Sequence, residues 1–364
     1  MGKLIGLKNV LMLAVMLIGC LVHGAMVECL AQTATSGPPV LLQMIRDSAV
    51  HAELKLSTKQ KVDVLAALRE VDGAWFRSRN LKSDKRGQEI RDLTATLEKS
   101  LEAILSVAQT KRLYQLQLQA LGTRMLTRED VAETLMLSRD QRDALEAAFQ
   151  ATDQAIAQLS DSAKEMDQNT QVQELKQAER DLVAKQLTQQ QQRQFGDLVG
   201  SAFDFSSVRR TYPLAPELTL DGAAWMQGGP LKLADLKGKV VAVHFYAFQC
   251  INCQRNLPHY KAWWKDYEDR GLVVIGLQTP ETSAERSPGK VQSAAKRDGI
   301  EYPVLLDMES ANWKKWSNTM WPTVYLIDRQ GFLRRWWQGE LNWQGGNGEQ
   351  QMRLTIEQLL SEQD

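Results

Sequence analysis

Between Pro39 and Pro213 the chain contains no proline at all. A proline inside a helix removes a backbone hydrogen bond and crowds the preceding turn, so a long stretch without one leaves helices free to run on. The same stretch lacks strand-like runs and is rich in Leu, Ala, Gln, Glu, Lys and Arg, the residues that favour helix. Residues 40–204 are therefore expected to form an all-helical domain. The chain has 364 residues, enough for two or three domains.

The helical stretch repeats itself. Leu-Ser/Thr-x-x-Gln occurs at Leu56-Ser57-Thr58-Lys59-Gln60, Leu105-Ser106-Val107-Ala108-Gln109, Leu137-Ser138-Arg139-Asp140-Gln141 and Leu187-Thr188-Gln189-Gln190-Gln191. The first and third copies lie 81 residues apart, the second and fourth 82. Flanking residues agree at Val50/Val131, Leu54/Leu135, Ala67/Ala148, Asp72/Asp153 and Leu116/Leu198. This pattern reads as a duplication, with units at about 50–122 and 131–204. Ser or Thr followed three residues later by Gln spells a capping box, in which the hydroxyl and the Gln amide each satisfy a free backbone N–H at a helix start. One copy would be an ordinary helix start; four at paired offsets point to a common design. The Leu ahead of each box has no apolar partner at the fourth helical position, so it is expected to dock on a neighbouring helix. The Gln189–Gln192 run is read as a solvated helix face.

Residues 205–215 read as a linker, since Tyr212-Pro213-Leu214-Ala215-Pro216 cannot continue a helix. The pattern then changes. Leu218–Leu220 and Ala224-Trp225 around Asp221-Gly222 suggest a small hairpin. Val240–Tyr246 is an apolar strand, Cys253 to about Arg270 a helix kinked near Pro258, and Leu272–Leu277 a second buried strand. Lys290–Asp298 is helical and Tyr302–Leu306 extended. Thr323–Ile327 turns through Asp328–Gly331 into Phe332–Trp337, and Gln350–Glu362 is a closing helix. A β-α-β half followed by a β-β-α half is thioredoxin topology, so 216–364 is expected to carry a central mixed sheet. The fold class is α followed by α/β.

Cys250 and Cys253 stand where the strand Val240–Tyr246 gives way to a helix. A C-x-x-C at that place is the sequence form of a dithiol/disulfide centre. Cys250 would sit near unpaired N–H groups at the positive end of the helix, which favours its thiolate as nucleophile. Cys253 lies on the same side of the first turn and can resolve a mixed disulfide with Cys250. Structural zinc needs four ligands, commonly a second C-x-x-C or a histidine pair, and the sequence offers neither at ligand spacing. Tyr246-Ala247-Phe248-Gln249 also lacks the P-x-x-x-[ST]-x-x-C pattern of a peroxiredoxin. No cofactor is expected beyond the Cys250–Cys253 pair itself.

The N-terminus has the form of an export signal over 1–31. Lys3 and Lys8 precede an apolar stretch from Val10 to Val22. Cys29-Leu30-Ala31 offers small residues for cleavage before Gln32, whereas Leu17-Ile18-Gly19-Cys20 resembles a lipobox that would make Cys20 a lipid-modified first residue. Retention as an anchor is disfavoured because the apolar stretch is short for a spanning helix. Of four cysteines, Cys20 and Cys29 fall in this region, so a processed protein would keep only Cys250 and Cys253. An exported chain whose one cysteine pair is C-x-x-C has no structural disulfide framework. The expected location is the periplasm or cell envelope. Lysine plus arginine equals aspartate plus glutamate at 44 each, which gives no argument for nucleic acid as a partner.

Two resemblances follow. The repeated L-[ST]-x-x-Q unit resembles the LTxxQ motif of Spy/CpxP-like periplasmic helical proteins, which implies antiparallel helices forming a cradle. The segment from about 213 to 362 resembles exported thioredoxin-like proteins of the TlpA/ResA, or redoxin, type. It is similar to a branch reading "VIGVHTPEF" and "GITYPVALDN…YWPAHYLIDRDG"; here the segments are Val274–Glu281, Gly299–Asp307 and Met320–Gly331. The resemblance implies a cis-proline at Pro322 beside the disulfide, with the preceding Trp321 exposing backbone for strand-like pairing with substrate. It places His244 where cytosolic thioredoxins have a buried Asp. A neutral imidazole there could relay protons for Cys253; the other reading is a buried histidine satisfied by backbone. Asn256 stands where many relatives place a Glu, and Gln249 replaces a common Trp. His259 reads as an exposed helix residue. Trp336 and Trp337, adjacent in a strand, face opposite sides, with one open to a partner.

These observations lead to an expected exported thiol-disulfide oxidoreductase acting on exported protein thiols and disulfides, supplied by a membrane or periplasmic electron donor. The rival class is a periplasmic chaperone-like binding protein whose thioredoxin-fold domain serves for docking.

Overall fold

A computed structural model describes residues 39–159 and 165–362. The expected export signal, with Cys20 and Cys29, lies outside these residues. The chain divides into two compact units. The first runs through Val71 and takes in Leu81–Thr211; the second holds Asp72–Asn80 and Tyr212–Asp364. No helix among the described residues is long and apolar enough to cross a membrane.

The first unit is helical: α1 (Val40–Met44), α2 (Ser48–Glu53), α3 (Thr58–Ser78, whose residues from Asp72 on are counted in the second unit), α4 (Ser83–Ile104), α5 (Val107–Leu121), α6 (Glu129–Thr134), α7 (Arg139–Leu159), α8 (Glu165–Gln186) and α9 (Gln189–Val199). The series α2–α5 is repeated by α6–α9. Backbone detail repeats too: Lys55 and Met136, 81 residues apart, both take a positive φ, as do Gly122 and Gly200 at the ends of α5 and α9.

All four capping boxes form. Ser57 and Gln60, Ser106 and Gln109, Ser138 and Gln141, and Thr188 and Gln191 each exchange reciprocal side-chain to backbone bonds. The four leucines ahead of them are buried. The glutamines do more than cap. Gln60 Nε2 donates to Gln109 Oε1 at 2.8 Å and to the Ile104 carbonyl at 2.9 Å, while Gln109 Nε2 donates to the Leu54 carbonyl at 3.1 Å. In the second copy Gln141 Nε2 donates to Gln191 Oε1 at 2.9 Å and to the Gln186 carbonyl at 2.7 Å, and Gln191 Nε2 donates to the Leu135 carbonyl at 3.1 Å. Two helix starts are thus tied to each other in each copy. Gln191 is buried, which departs from the solvated face expected for the Gln189–Gln192 run.

The second unit is built on β1 (Ala224–Gln227), β2 (Val240–Tyr246), β3 (Leu272–Gln278), β4 (Val304–Leu306), β5 (Thr323–Ile327) and β6 (Leu333–Gln338). Its helices include α10 (Ile251–Tyr267), α11 (Pro288–Arg297), α12 (Ala311–Lys315) and α13 (Gly348–Ser361). The strands form one mixed sheet in the order β1-β4-β3-β2-β5-β6. β2, β3 and β4 run parallel, and β1, β5 and β6 pair antiparallel to their neighbours. The expected hairpin at 218–225 does not form. β1 pairs instead with β4, whose residues lie about 80 positions away in sequence.

β2 is buried along its whole length because both faces of the sheet are covered. Val240, Ala242 and Tyr246 pack on one side with Tyr260 and Trp263 of α10 and Met352 and Ile356 of α13. Val241, Val243 and Phe245 pack on the other with Trp316, Tyr325 and Phe76. Phe76 belongs to the segment 72–80 of this unit, a part of it that the sequence pattern did not reveal. Arg79 in that segment donates to the Trp316 and Ser317 carbonyls and to the Tyr325 hydroxyl at 2.6–3.1 Å. Trp336 and Trp337 pack on opposite faces of the sheet as alternation requires, but both are half-buried, so neither is an open platform.

Candidate active site

β2 ends at Tyr246, and the next residues turn into α10. Cys250 is the N-cap of α10, with extended backbone at φ −71° and ψ 118°. Its amide donates to the Ala247 carbonyl at 3.2 Å, closing the turn. Both thiols are free; Cys250 is half-buried and Cys253 is 4% exposed. The Cys250 thiol is lowered to about 7, chiefly by its hydrogen bond with the Cys253 thiol and further by the backbone N–H groups of Cys253 and Asn252. Burial and the Glu281 carboxylate act against that shift. Burial pushes the Cys253 thiol far up, with added repulsion from Cys250 and Glu281. The two thiols of one motif thus differ in ionisation because one caps the helix and the other sits in the core beneath it.

Pro322 is buried at the start of β5, and the Trp321–Pro322 bond is cis. Trp321 stacks on Trp313 with ring centroids 3.9 Å apart, and its Nε1 donates to the Thr279 carbonyl at 3.2 Å. Trp321 and Cys250 both pack at the margin of the core that contains Cys253. Exposed apolar side chains at Ile251 and Met320 flank the two positions in sequence.

His244 is fully buried on β2, on the face that carries α10 by the alternation of the strand. It stacks on Tyr260 at 4.3 Å and meets the rings of Tyr246 and Tyr302 at 5.1 and 5.4 Å. Neither ring nitrogen has a hydrogen-bond partner among the described residues. A histidine satisfied by backbone is therefore not what the sheet contains. Burial lowers its pKa to about 3, so the imidazole is neutral. Opposite it in register is Gly276. A Cβ there would lie 3.1 Å from His244 Nε2 and 3.2 and 3.3 Å from the Tyr246 and Tyr302 rings, so the aromatic cluster occupies the room a side chain would need.

Asn256 is structural. Its Nδ2 donates to the Tyr260 hydroxyl and the Gly339 carbonyl, and its Oδ1 accepts from the Leu341 amide at 2.9 Å. It fastens α10 to the chain beyond β6 and puts no titratable group beneath the thiols. His259 is half-buried rather than exposed.

Sequence reasoning passed over Glu285. Its carboxylate is 0% exposed and accepts from the amides of Gln249, Glu281 and Thr282 at 2.7, 2.8 and 2.9 Å. Thr282-x-x-Glu285 spells a capping box, and the structure forms one. Asp307, also buried, accepts from Thr279 Oγ1 and from the amides of Asn312 and Trp313. The loop following β3 is thus held by two buried carboxylates, one of which, Glu285, also holds the residue before Cys250. No group of three His, Cys, Asp or Glu among the described residues is placed to hold a metal ion.

This sheet, with a C-x-x-C at the first helix after a central strand and a cis-proline opening β5, is thioredoxin-like. Residues 213–336 match the model of the AhpC/TSA family, so the second unit carries an AhpC/TSA-type thioredoxin-like domain. The chain is similar to Protein DipZ of Mycobacterium tuberculosis, with 48% identity over 105 residues, 29% of this chain and 15% of that protein. It is similar to the thiol-disulfide oxidoreductase YkuV of Bacillus subtilis, with 26% identity over 40% of this chain and 94% of YkuV. Among solved structures it resembles a thiol-disulfide isomerase from Corynebacterium glutamicum, with 27% identity, a TM-score of 0.36, and coverage of 41% of this chain and 98% of that one. The chain spans only a small part of the length of DipZ, and the similarity to all three relatives involves less than half of the chain.

Proposed function

We propose that this protein is an exported thiol-disulfide oxidoreductase that exchanges its Cys250–Cys253 dithiol with disulfides of other exported proteins. The observation that carries the reading is the split between the thiols: Cys250 at a helix N-terminus near pKa 7, Cys253 buried below it with its thiol pushed up.

In the reducing direction, the Cys250 thiolate attacks one sulfur of a substrate disulfide. That S–S bond breaks, a Cys250–substrate disulfide forms, and the departing thiolate takes up a proton. Cys253 is raised partly by its interaction with Cys250. Consumption of the Cys250 charge in the mixed disulfide removes that part and eases loss of the Cys253 proton. The Cys253 thiolate then attacks Cys250 Sγ, releasing the second substrate thiolate and leaving the Cys250–Cys253 disulfide. Two electrons have passed to the substrate, and an exported or membrane-borne thiol donor restores the dithiol. Run in reverse, the same steps oxidise a substrate dithiol. The cis bond before Pro322 turns the backbone of Trp321 toward an extended substrate segment. His244, a neutral imidazole stacked on Tyr260 in the core that also holds Cys253, serves as the relay for the Cys253 proton.

The test is turnover. The full chain is expected to reduce insulin with a dithiol donor, and Cys250→Ser to abolish this. Cys253→Ser is expected to accumulate mixed disulfides with exported proteins. A chain that neither cycles between dithiol and disulfide nor reduces insulin sinks the reading and leaves the binding-protein alternative.

A further inference from the structure

The segment that delivers Cys250 to α10 is short and leaves β2 without a regular element of its own. Gln249, just ahead of the nucleophile, has an exposed side chain, yet its amide is anchored on a fully buried carboxylate, Glu285 Oε1, at 2.7 Å. The other oxygen of Glu285 holds the amides of Glu281 and Thr282. Thr282 Oγ1 in turn donates to Gln249 Oε1 at 2.6 Å. Two of these four hydrogen bonds, from the Gln249 amide to Glu285 and from Thr282 Oγ1 to Gln249 Oε1, join loops far apart in sequence, and the other two close the second loop on Glu285. The second loop is joined to the proline side of the site through Thr279, whose carbonyl accepts from Trp321 Nε1 and whose hydroxyl reaches Asp307.

A buried carboxylate without a basic partner is costly, and backbone N–H donors are what offset that cost here. Three such donors converge on one side chain, and one of them belongs to the residue before Cys250. An apolar residue would fill the same space without the desolvation penalty, so the placement of the carboxylate calls for a role at the loops it joins.

We propose that Glu285 is a positioning residue for the dithiol, clamping the backbone ahead of Cys250 to the 279–282 loop so that Cys250 stays at the N-terminus of α10. The proposal deepens the oxidoreductase reading, since it names what holds the attacking sulfur in place. It is distinct from a charge effect. A carboxylate acting through its charge alone would repel the Cys250 thiolate, and its removal would make the thiolate form more readily. A clamp does the opposite. Its loss frees Cys250 from the backbone N–H groups of Asn252 and Cys253 that favour the thiolate.

The experiment is the pH dependence of Cys250 alkylation by iodoacetamide in the full chain, with Glu285→Gln as the main variant. A glutamine keeps the shape but must turn its NH2 toward at least one of the three amide donors. Cys253 does not interfere, being buried and protonated. At pH 6, Glu285→Gln is expected to alkylate about threefold more slowly, equivalent to a rise of about half a unit in the Cys250 pKa. Unchanged or faster alkylation in a folded variant overturns the clamp. Thr282→Val, at an exposed residue, severs the link to the Gln249 side chain and is expected to slow alkylation in the same direction by less. If Glu285→Gln does not fold, unchanged alkylation in Thr282→Val overturns the proposal. The assay reads Cys250 directly and needs no turnover. Failure of the clamp thus appears as an unaltered alkylation profile, and failure of the oxidoreductase reading as absent insulin reduction.

Discussion

At the scale of residues, hydrogen bonds from Cys253 and the start of α10 favour the Cys250 thiolate, and one carboxylate opposes them. Glu281 follows Pro280 in the loop beyond β3, and its carboxylate is exposed. It raises both thiols, opposing the hydrogen bonds that lower Cys250. Glu281→Gln is therefore expected to lower the Cys250 pKa below its value of about 7. The shift should be a few tenths of a unit, because an exposed charge is screened by water and salt. Thiolate absorbance against pH at low ionic strength would show it, and 1 M salt should shrink the difference between parent and variant. No difference at low salt would mean the carboxylate does not act on the site. The place of Cys250 and Cys253 at the start of α10 was legible from their spacing after an apolar strand, and the cis bond before Pro322 from the family resemblance. Glu285 was legible in principle: Thr282-x-x-Glu285 has the spacing of the boxes in the helical region, with Glu in place of their Gln. It was passed over because it opens a single short turn, so no periodic helix pattern drew attention to it. Asn256 and Gln249 looked like departures that left the tuning of the site open. Asn256 proves to be a fastener between α10 and the chain after β6, and the Gln249 amide is part of the anchorage of Cys250.

At the scale of elements, the four capping boxes of the first unit show what local sequence can and cannot report. That Ser or Thr and Gln would close helix starts follows from chemistry within four residues, and all four close. That Gln60 would meet Gln109, and Gln141 meet Gln191, requires two helix starts about 50 residues apart to converge, which no local pattern encodes. The same limit explains the missing hairpin. Ala224–Gln227 has the look of a strand, but its partner is chosen by the edge that β4 leaves open. Gln191 bonds Thr188, Gln141 and the Leu135 carbonyl from a buried position. Gln191→Ala leaves that carbonyl and the Gln141 amide short of partners, and is expected to destabilise the helical unit by about 2–3 kcal/mol. Urea unfolding followed by helical circular dichroism would measure it. Gln190→Ala, on the exposed side, should stay within about 0.5 kcal/mol of the parent. Equal effects of the two would show that the paired amides contribute nothing beyond an ordinary surface glutamine.

At the scale of the whole molecule, the two units can be read separately by spectroscopy. Nine of the ten tryptophans fall within residues 212–364 and the tenth is Trp75 on α3, so tryptophan fluorescence reports chiefly the second unit. That makes a stability effect of His244 measurable in the intact chain. In the folded state its pKa is held near 3 by burial, whereas the unfolded chain has an ordinary histidine near 6.5. Between these values the unfolded state binds a proton that the folded state refuses. The contribution is therefore fully present above pH 6.5 and is lost as the pH falls toward 3. Over that window the loss amounts to roughly 4–5 kcal/mol. Phenylalanine has a similar shape and no proton to bind. His244→Phe is expected to keep fluorescence-detected stability at pH 7 within about 1–2 kcal/mol of the parent and to flatten its decline between pH 6 and 4. In the same variant, attack by Cys250 should be preserved while release of substrate from the mixed disulfide slows, because the relay proposed for Cys253 is gone. A decline with pH as steep as the parent's would show that His244 carries no such linkage. An unslowed release would place the proton of Cys253 elsewhere, leaving the imidazole as packing between Tyr246, Tyr260 and Tyr302.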